Sequence, residues 1–389
     1  MLKNGLTLLI LRAVGVGASY WLLATIGTQY GAESLGIYAL TTNAVNLASL
    51  IAAFGIDQFI LRTQPEVLRS TGFWARTAQR TVPAIVAASG ILFLVSGYAE
   101  AESTANALAV GALFVPLVVA HTLVVEALAA SGQRTASELI RSVVRPIAVV
   151  AGLWLLASTN LYAPLWWAAV VTTPLVILGY WLLVTSYHPQ EHSVLQGHSS
   201  FAVLTVGGFL LANAASLYLE SSEGTEAVGT FNLAVRLAHL SAFGLVVSQA
   251  VFGPAIAQAT QAGKPHEARR TALKASAFSA AVALAAAAVL WLGRGFLPRI
   301  FGVGLDDATL APILLGQVAY ATSAGSFLAL SMGNRSKHAA AALAAVTSCQ
   351  LLVLTLTNLD PALIHGASFA VLALSYIALA SRRFPTFAR

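Results

Sequence analysis

Charge is what this sequence has least of. Only 9% of its 389 residues are Asp, Glu, Lys or Arg, against 58% hydrophobic residues, and the mean hydropathy is +0.78. A soluble domain carries about 25% charged residues. A chain this apolar cannot cover a water-facing surface, so it reads as an all-α, polytopic membrane protein. Cysteine is nearly absent as well: Cys349 stands alone, which excludes an internal disulfide framework. The net charge of +6 is spread through short segments and not gathered into a patch, so no nucleic-acid partner is expected. The sequence lacks a Walker loop, a Gly-x-Ser-x-Gly elbow and a His-Glu-x-x-His pair, the signatures of common nucleotide, hydrolase and zinc chemistry. His188, His192 and His198 cluster in one polar stretch. They lack the cysteine or acidic partners that a tight zinc site favours, so no metal is expected. No connection between apolar runs is long enough to hold a soluble catalytic domain. The expectation is a non-enzyme without a resident cofactor.

Long apolar runs are what the sequence does have. A bilayer core of about 30 Å needs about 20 apolar helical residues. Such runs fall at 5–28, 36–60, 81–98, 106–129, 140–158, 164–187, 201–219, 227–252, 273–293, 309–332, 338–357 and 361–381, about twelve transmembrane helices. The run after Met1-Leu2-Lys3 is too long for a signal-peptide core and reads as an uncleaved first span. With both termini cytoplasmic, nearly all lysines and arginines lie inside, Arg62, Arg134, Arg141, Arg145, Arg269 and Arg270 among them. Only Arg294 and Arg299 lie outside, where the loops carry Glu33, Glu100, Glu102, Glu226, Asp306 and Asp307 instead. That alternation obeys the positive-inside rule and supports both the count and the orientation.

A repeat organises the runs. Gly31 to Leu40 reads Gly-Ala-Glu-Ser-Leu-Gly-Ile-Tyr-Ala-Leu, and Gly224 to Leu233, 193 positions on, reads Gly-Thr-Glu-Ala-Val-Gly-Thr-Phe-Asn-Leu. The offset is about half the chain and spans six helices. An even number keeps the orientation, so the halves form two six-helix lobes related by a parallel pseudo-twofold repeat, 1–190 and 201–389, joined by a cytoplasmic linker at 191–200. In transporters built this way the substrate site lies near the midplane, between the repeats. By its orientation each decapeptide sits at the outer surface, as the turn and start of the second and eighth helices, with Glu33 and Glu226 placed favourably against the helix dipole.

Within the spans, ionisable residues are costly and mark candidate sites. Arg12 is about 10 Å in from the cytoplasmic end of its helix and either snorkels or faces a cavity. Arg236 is about 13 Å deep, where snorkelling is hardest, and is the leading candidate for substrate contact. Asn232, Arg236 and His239 are spaced four and three, so they share a helix face. Shifted by the repeat offset, Arg236 and His239 fall on Asn43 and Asn46. Two equivalent polar faces suggest one cavity lined by both lobes, with interhelical hydrogen bonds as the plainer reading for Asn43 and Asn46. Asp57 and Glu126 lie near inner helix ends, within reach of Arg62 and Arg134, and are either interface ion pairs or coupling carboxylates. His121 is deeper, a candidate coupling group or a neutral histidine bonded to a neighbouring helix.

The order of these pieces resembles a known family. Tyr30 to Leu40, then Phe54-Gly55-Ile56-Asp57 and Ile60-Leu61-Arg62, are similar to the opening of the Wzx-type flippases of the multidrug/oligosaccharidyl-lipid/polysaccharide superfamily. Val228 to Phe231, Ala234 to Leu237, Phe252-Gly253-Pro254 and Phe301-Gly302 are similar to its middle and later segments. The resemblance implies a transporter that flips a polyprenyl-pyrophosphate-linked oligosaccharide from the inner to the outer leaflet of the bacterial cytoplasmic membrane. It implies a polysaccharide polymerase and chain-length proteins as partners, alongside membrane lipids. Related flippases place cavity arginines on the first and eighth helices, and Arg12 and Arg236 match those helices. Arg236 and Arg12 would hold the pyrophosphate, and His239, Asn232, Asn43 and Asn46 would bond phosphate or sugar. Proton, sodium and membrane potential all stay open as drivers. Two competitors stay open too: a multidrug or organic-cation antiporter of the same architecture, and a non-transporting assembly partner in polysaccharide synthesis.

Overall fold

The computed structural model describes residues 2–60, 63, 65–99, 102–156, 160–184, 199–332 and 336–382. The linker at 191–200 lies outside them except for its last two residues, and Arg62 lies outside them as well. All regular elements among the described residues are helices. Nine helices there are long and apolar enough to cross a membrane, and a tenth is the pair Asp307–Thr322 and Ala324–Ser331, bent by 50°. Leu2–Ala53 is two passes merged across Gly31. Arg134–Glu138, Leu139–Val144 and Arg145–Leu156 follow without interruption as α, π and α turns and complete one more. The chain is a multi-pass membrane protein, and its described residues make twelve helical passes, as its hydropathy implies.

Two passes begin earlier than hydropathy indicates. The third is Thr71–Ser96, not 81–98, and the ninth is Pro265–Gly293, not 273–293. Their first turns carry Arg76 and Arg80, and Arg269, Arg270 and Lys274, which remove them from any apolar window. Packing holds them helical nonetheless. Phe73 is buried, and Trp74 donates its indole N–H to the Leu68 carbonyl at 2.8 Å and meets Tyr180 edge to face. Ala268 and Ala275, two turns apart on one face, are buried. Long basic side chains reach back to the interface while their stems stay apolar. The second pass ends at Ala53, short of 60, where Phe54 and Gly55 both take positive φ before Ile56–Ile60 resumes as a separate short helix.

The repeated decapeptides are the turns expected. Gly31 has φ 82° and ψ 177°, and its counterpart Gly224 has φ 87°. Only glycine enters this region at low cost, which is why both copies keep it. The second repeated glycine has another task. A Cβ on Gly36 would overlap the Thr225 carbonyl oxygen, and one on Gly229 would lie 2.5 Å from the Ala32 oxygen and 2.9 Å from the Gly36 nitrogen. The two decapeptides are therefore packed backbone to backbone. Gly36→Ala is expected to cost about 1–3 kcal/mol of stability through overpacking, read as a lowered Tm of the purified protein. Gly90→Ala is the control, because nothing lies within 4 Å of its Cβ position. Equal behaviour of the two variants would contradict this packing.

The chain divides into two compact units. The first is Met1–Ala202 with Glu223–Gly229 and Ile300–Val303, and the second is Val203–Ser222, Thr230–Arg299 and Gly304–Arg389. The core of the first is aliphatic, centred on Val115, Leu123, Leu128 and Ile140. In the second, Leu211, Leu330, Leu372 and Tyr376 form the corresponding cluster. Each unit also turns large apolar side chains outward, such as Leu94, Leu155 and Trp181 in the first and Leu292, Leu356 and Leu374 in the second. Apolar surface on that scale fits lipid as its solvent, not water.

Candidate functional site

In the first unit, the fifth pass carries the chemistry. Pro146 has no N–H to give the carbonyl of Ser142, and a proline inside a helix removes that bond. The chain responds upstream with the π turn Leu139–Val144. Such turns are rare and gather at functional sites. Around it stand Glu138, Arg141, Ser142 and Arg145.

Arg12 finds its partner here. Its Nε donates to Glu138 Oε2 at 3.3 Å, and Ser142 Oγ donates to Glu138 Oε1 at 2.8 Å. Glu138 is buried, whereas the Arg12 side chain is 44% exposed. Close packing brings them together: a Cβ on Gly15 would lie 2.5 Å from the Ser142 Cβ. The contacts Arg12–Glu138 and Gly15–Ser142 advance together along both helices, so the first and fifth passes run in the same direction, as two odd-numbered passes must. Glu126 is also paired. Its partner is Arg141, whose Nη2 donates to Oε1 at 2.5 Å, and not Arg134, which sequence proximity suggests. Asp57 is buried and lies within electrostatic range of Glu126. His121 is buried too, with no partner for its Nε2 among the described residues.

Arg145 is placed differently. It lines a recess together with Thr41, Thr42, Asn46, Phe114 and Thr172. Phe114 lies at the middle of Glu102–Ala130, and Thr41 and Asn46 lie at the middle of the second pass. Arg145 is eleven residues from the start of its own pass at Arg134, about 16 Å along the axis. It is therefore a mid-depth arginine, not a residue of the inner end. Among the described residues it has no ion pair, and no carboxylate lines the recess. Thr41 is fully buried, and its hydroxyl has no partner among the described residues. Asn43, one turn before Asn46, is buried with its Nδ2 unpartnered among the described residues.

In the second unit, the eighth pass holds Arg236 as its spacing implies. Arg236 Nε donates to Asn232 Oδ1 at 2.8 Å, and Asn232 Nδ2 reaches Ser216 Oγ on the seventh pass at 3.5 Å. Asn232 and Ser216 are both buried. His239 follows on a 3-10 turn, His239–Ala242, with its side chain accessible and within electrostatic range of Arg236.

Sequence reasoning missed Glu138, Arg145 and His365. The first two fell among residues assigned to the cytoplasmic side by the positive-inside pattern. His365 carries the signal that singled out His121, an ionisable residue within a span. It is fully buried, edge-on to Phe231 at 5.7 Å and tilted on Phe369 at 5.0 Å, with neither ring nitrogen partnered among the described residues. An orphaned buried polar group costs about 1–3 kcal/mol. His365→Leu is therefore expected to leave the Tm unchanged or raise it. A clear loss of Tm would instead point to a bound water or ion at this imidazole.

No protein-family model matches the chain, and no curated protein matches it. Solved structures do. An inward-facing conformation of a multidrug resistance MATE family transporter of the MOP superfamily aligns with TM-score 0.69 and 11% identity, over 95% of this chain and 94% of that one. An outward-facing conformation of such a transporter aligns with TM-score 0.62 and 13% identity, over 97% and 94%. The MATE multidrug transporter DinF-BH aligns with TM-score 0.63 and 15% identity, over 99% and 96%. Similarity that runs the full length of both chains at such low identity is a likeness of architecture: this chain has the fold of the MATE transporters of the MOP superfamily.

Proposed function

We propose that the protein is a membrane transporter that flips a polyprenyl-pyrophosphate-linked oligosaccharide from the inner to the outer leaflet of the bacterial cytoplasmic membrane, for surface polysaccharide synthesis. The observation that carries this reading is the balance of interior charge. In the first unit Glu126 is paired with Arg141 and Glu138 with Arg12. The charge that faces open space at mid-depth is positive: Arg145, in a recess without a carboxylate. In the second unit Arg236 is oriented by the neutral groups Asn232 and Ser216. Arginine suits a diphosphate because its planar fork pairs with phosphate oxygens and keeps its charge at any physiological pH. Asn43, Asn46 and His239 would add hydrogen bonds to phosphate or sugar. Asp57, Glu126 and His121 are the candidates for coupling to a proton, sodium or the membrane potential. Similar structures named as inward-facing and as outward-facing support alternating access. The membrane orientation proposed has both termini cytoplasmic, and a polymerase and chain-length proteins are the proposed partners.

The second reading is a multidrug or organic-cation antiporter, favoured by the multidrug transporters among the similar structures. Purified protein reconstituted into vesicles separates the two. Transbilayer movement of a polyprenyl-pyrophosphate-linked oligosaccharide without movement of a fluorescent organic cation is the expected result. Movement of the cation alone would replace the first reading with the second. Movement of neither, in protein of native fold, would favour the assembly-partner role.

A further inference from the structure

The recess in the first unit has the makings of a binding site in its own right. We propose that Arg145 heads a phosphoryl-binding subsite in which the Thr41 hydroxyl and the Asn46 amide complete the donor set.

The donors can be sorted by chemistry. A phosphoryl group offers only acceptors, so its site must supply N–H and O–H groups. Arg145 supplies the guanidinium, and no ion pair engages it among the described residues. On the same helix Arg141 is engaged by Glu126, so the difference lies in where the side chain points. Thr41 is fully buried, lines the recess and has no partner for its hydroxyl among the described residues. Asn46, whose side-chain amide can donate, lines the same space. Thr172 differs, because its hydroxyl already donates to the Ala168 carbonyl at 2.5 Å. It can only accept, and belongs to the rim of the subsite and not to its donors.

The walls strengthen the case. Val45, Phe114, Leu117 and Leu165 make most of the lining apolar. A cation among such walls is costly without an anion, and once paired it interacts more strongly than in water. The chemistry shared by a lipid diphosphate and a free one is the phosphoryl oxygens. The subsite rests on the transport reading only for what those phosphates are attached to.

The test uses the full chain, purified in detergent, with inorganic pyrophosphate and geranyl pyrophosphate as separate probes. Phe114 lines the recess and meets Trp166 edge to face at 5.6 Å, so tryptophan fluorescence reports occupancy. Saturable quenching is expected, with Arg145→Gln weakening binding roughly tenfold or more, Arg145→Lys less, and Thr41→Val a few-fold. Tighter binding of the geranyl probe identifies a lipid diphosphate as the occupant, and equal binding identifies the free anion. If Arg145→Gln fails to purify as a monodisperse protein, Arg145→Lys and Thr41→Val carry the same comparison. Unchanged binding in these variants, or no saturable binding to the wild type, overturns the subsite whatever the vesicles show. Pyrophosphate binding that depends on Arg145, in a protein that fails to flip lipid-linked oligosaccharide, removes the transport reading and leaves the subsite.

Discussion

Arg236→Ala is expected to lower the transport rate roughly 30-fold or more at an unchanged level of folded protein. The estimate follows from the penalty for removing one member of a buried, hydrogen-bonded charge pair, about 2–5 kcal/mol, at about 1.4 kcal/mol per tenfold. Arg236 is suited to such a role by its supports. Asn232 takes the Nε hydrogen at 2.8 Å, and Ser216 holds Asn232 in turn. Asn232 and Ser216 are neutral groups that orient the guanidinium. Arg236→Lys keeps the charge but loses the planar fork, and an intermediate rate is expected. Asn232→Ala leaves the charge in place and loosens the side chain, so it should cost less than Arg236→Ala. Flipping measured in vesicles, with the protein quantified in the same vesicles, decides the matter. An Arg236→Ala variant that works at the wild-type rate would remove the pyrophosphate role.

Arg12→Ala should be the more damaging half of its ion pair, by about 2–3 kcal/mol of stability. Breaking a buried pair costs about 3–5 kcal/mol because it strands the remaining charge, and the exposure of Arg12 reduces that figure. The two ends are unequal. Glu138 is buried, and without Arg12 it keeps only the Ser142 hydroxyl. Arg12, 44% exposed, can rehydrate when Glu138 is neutralised, so Glu138→Gln should cost about 1 kcal/mol or less. The double variant Arg12→Ala, Glu138→Gln should recover most of the stability lost in Arg12→Ala, as a thermal double-mutant cycle would show. Equal damage from the two single variants would contradict this account. The same double variant tests the role the family resemblance implies for Arg12. Restored stability with restored transport makes Arg12 structural, and restored stability without transport makes it a substrate contact.

Much of the fold is legible along the sequence. The twelve passes follow from hydropathy, because a span is a local property of about 20 residues. The turns at Gly31 and Gly224 follow from the repeat, because only glycine takes that backbone conformation cheaply. The starts of the third and ninth passes do not follow. Arg76, Arg80, Arg269 and Arg270 lower the local hydropathy, while the helical state there is decided by Phe73, Trp74 and Ala268 packing on other segments.

The candidate site divides along the same line. Arg236 and Asn232 are four residues apart on one helix, so helical geometry alone joins them. His239 follows on a 3-10 turn that the spacing does not announce, still within electrostatic range of Arg236. Glu126 has Arg134 nearer in sequence but pairs with Arg141, because the fifth pass presents that residue to the fourth. Arg12 and Glu138 are 126 positions apart, a separation that no local pattern bridges.

By itself, then, the sequence determined a membrane solvent, a two-copy plan and the face that Arg236 shares with Asn232. Each depends on composition or on spacing along a single helix. The tertiary structure alone decided which charges cancel and which stay available. It paired Arg12 and Arg141 with carboxylates and turned Arg145 into the recess. The physical reason is that charge compensation needs a partner within a few ångströms, and in a helical bundle that partner comes from another helix.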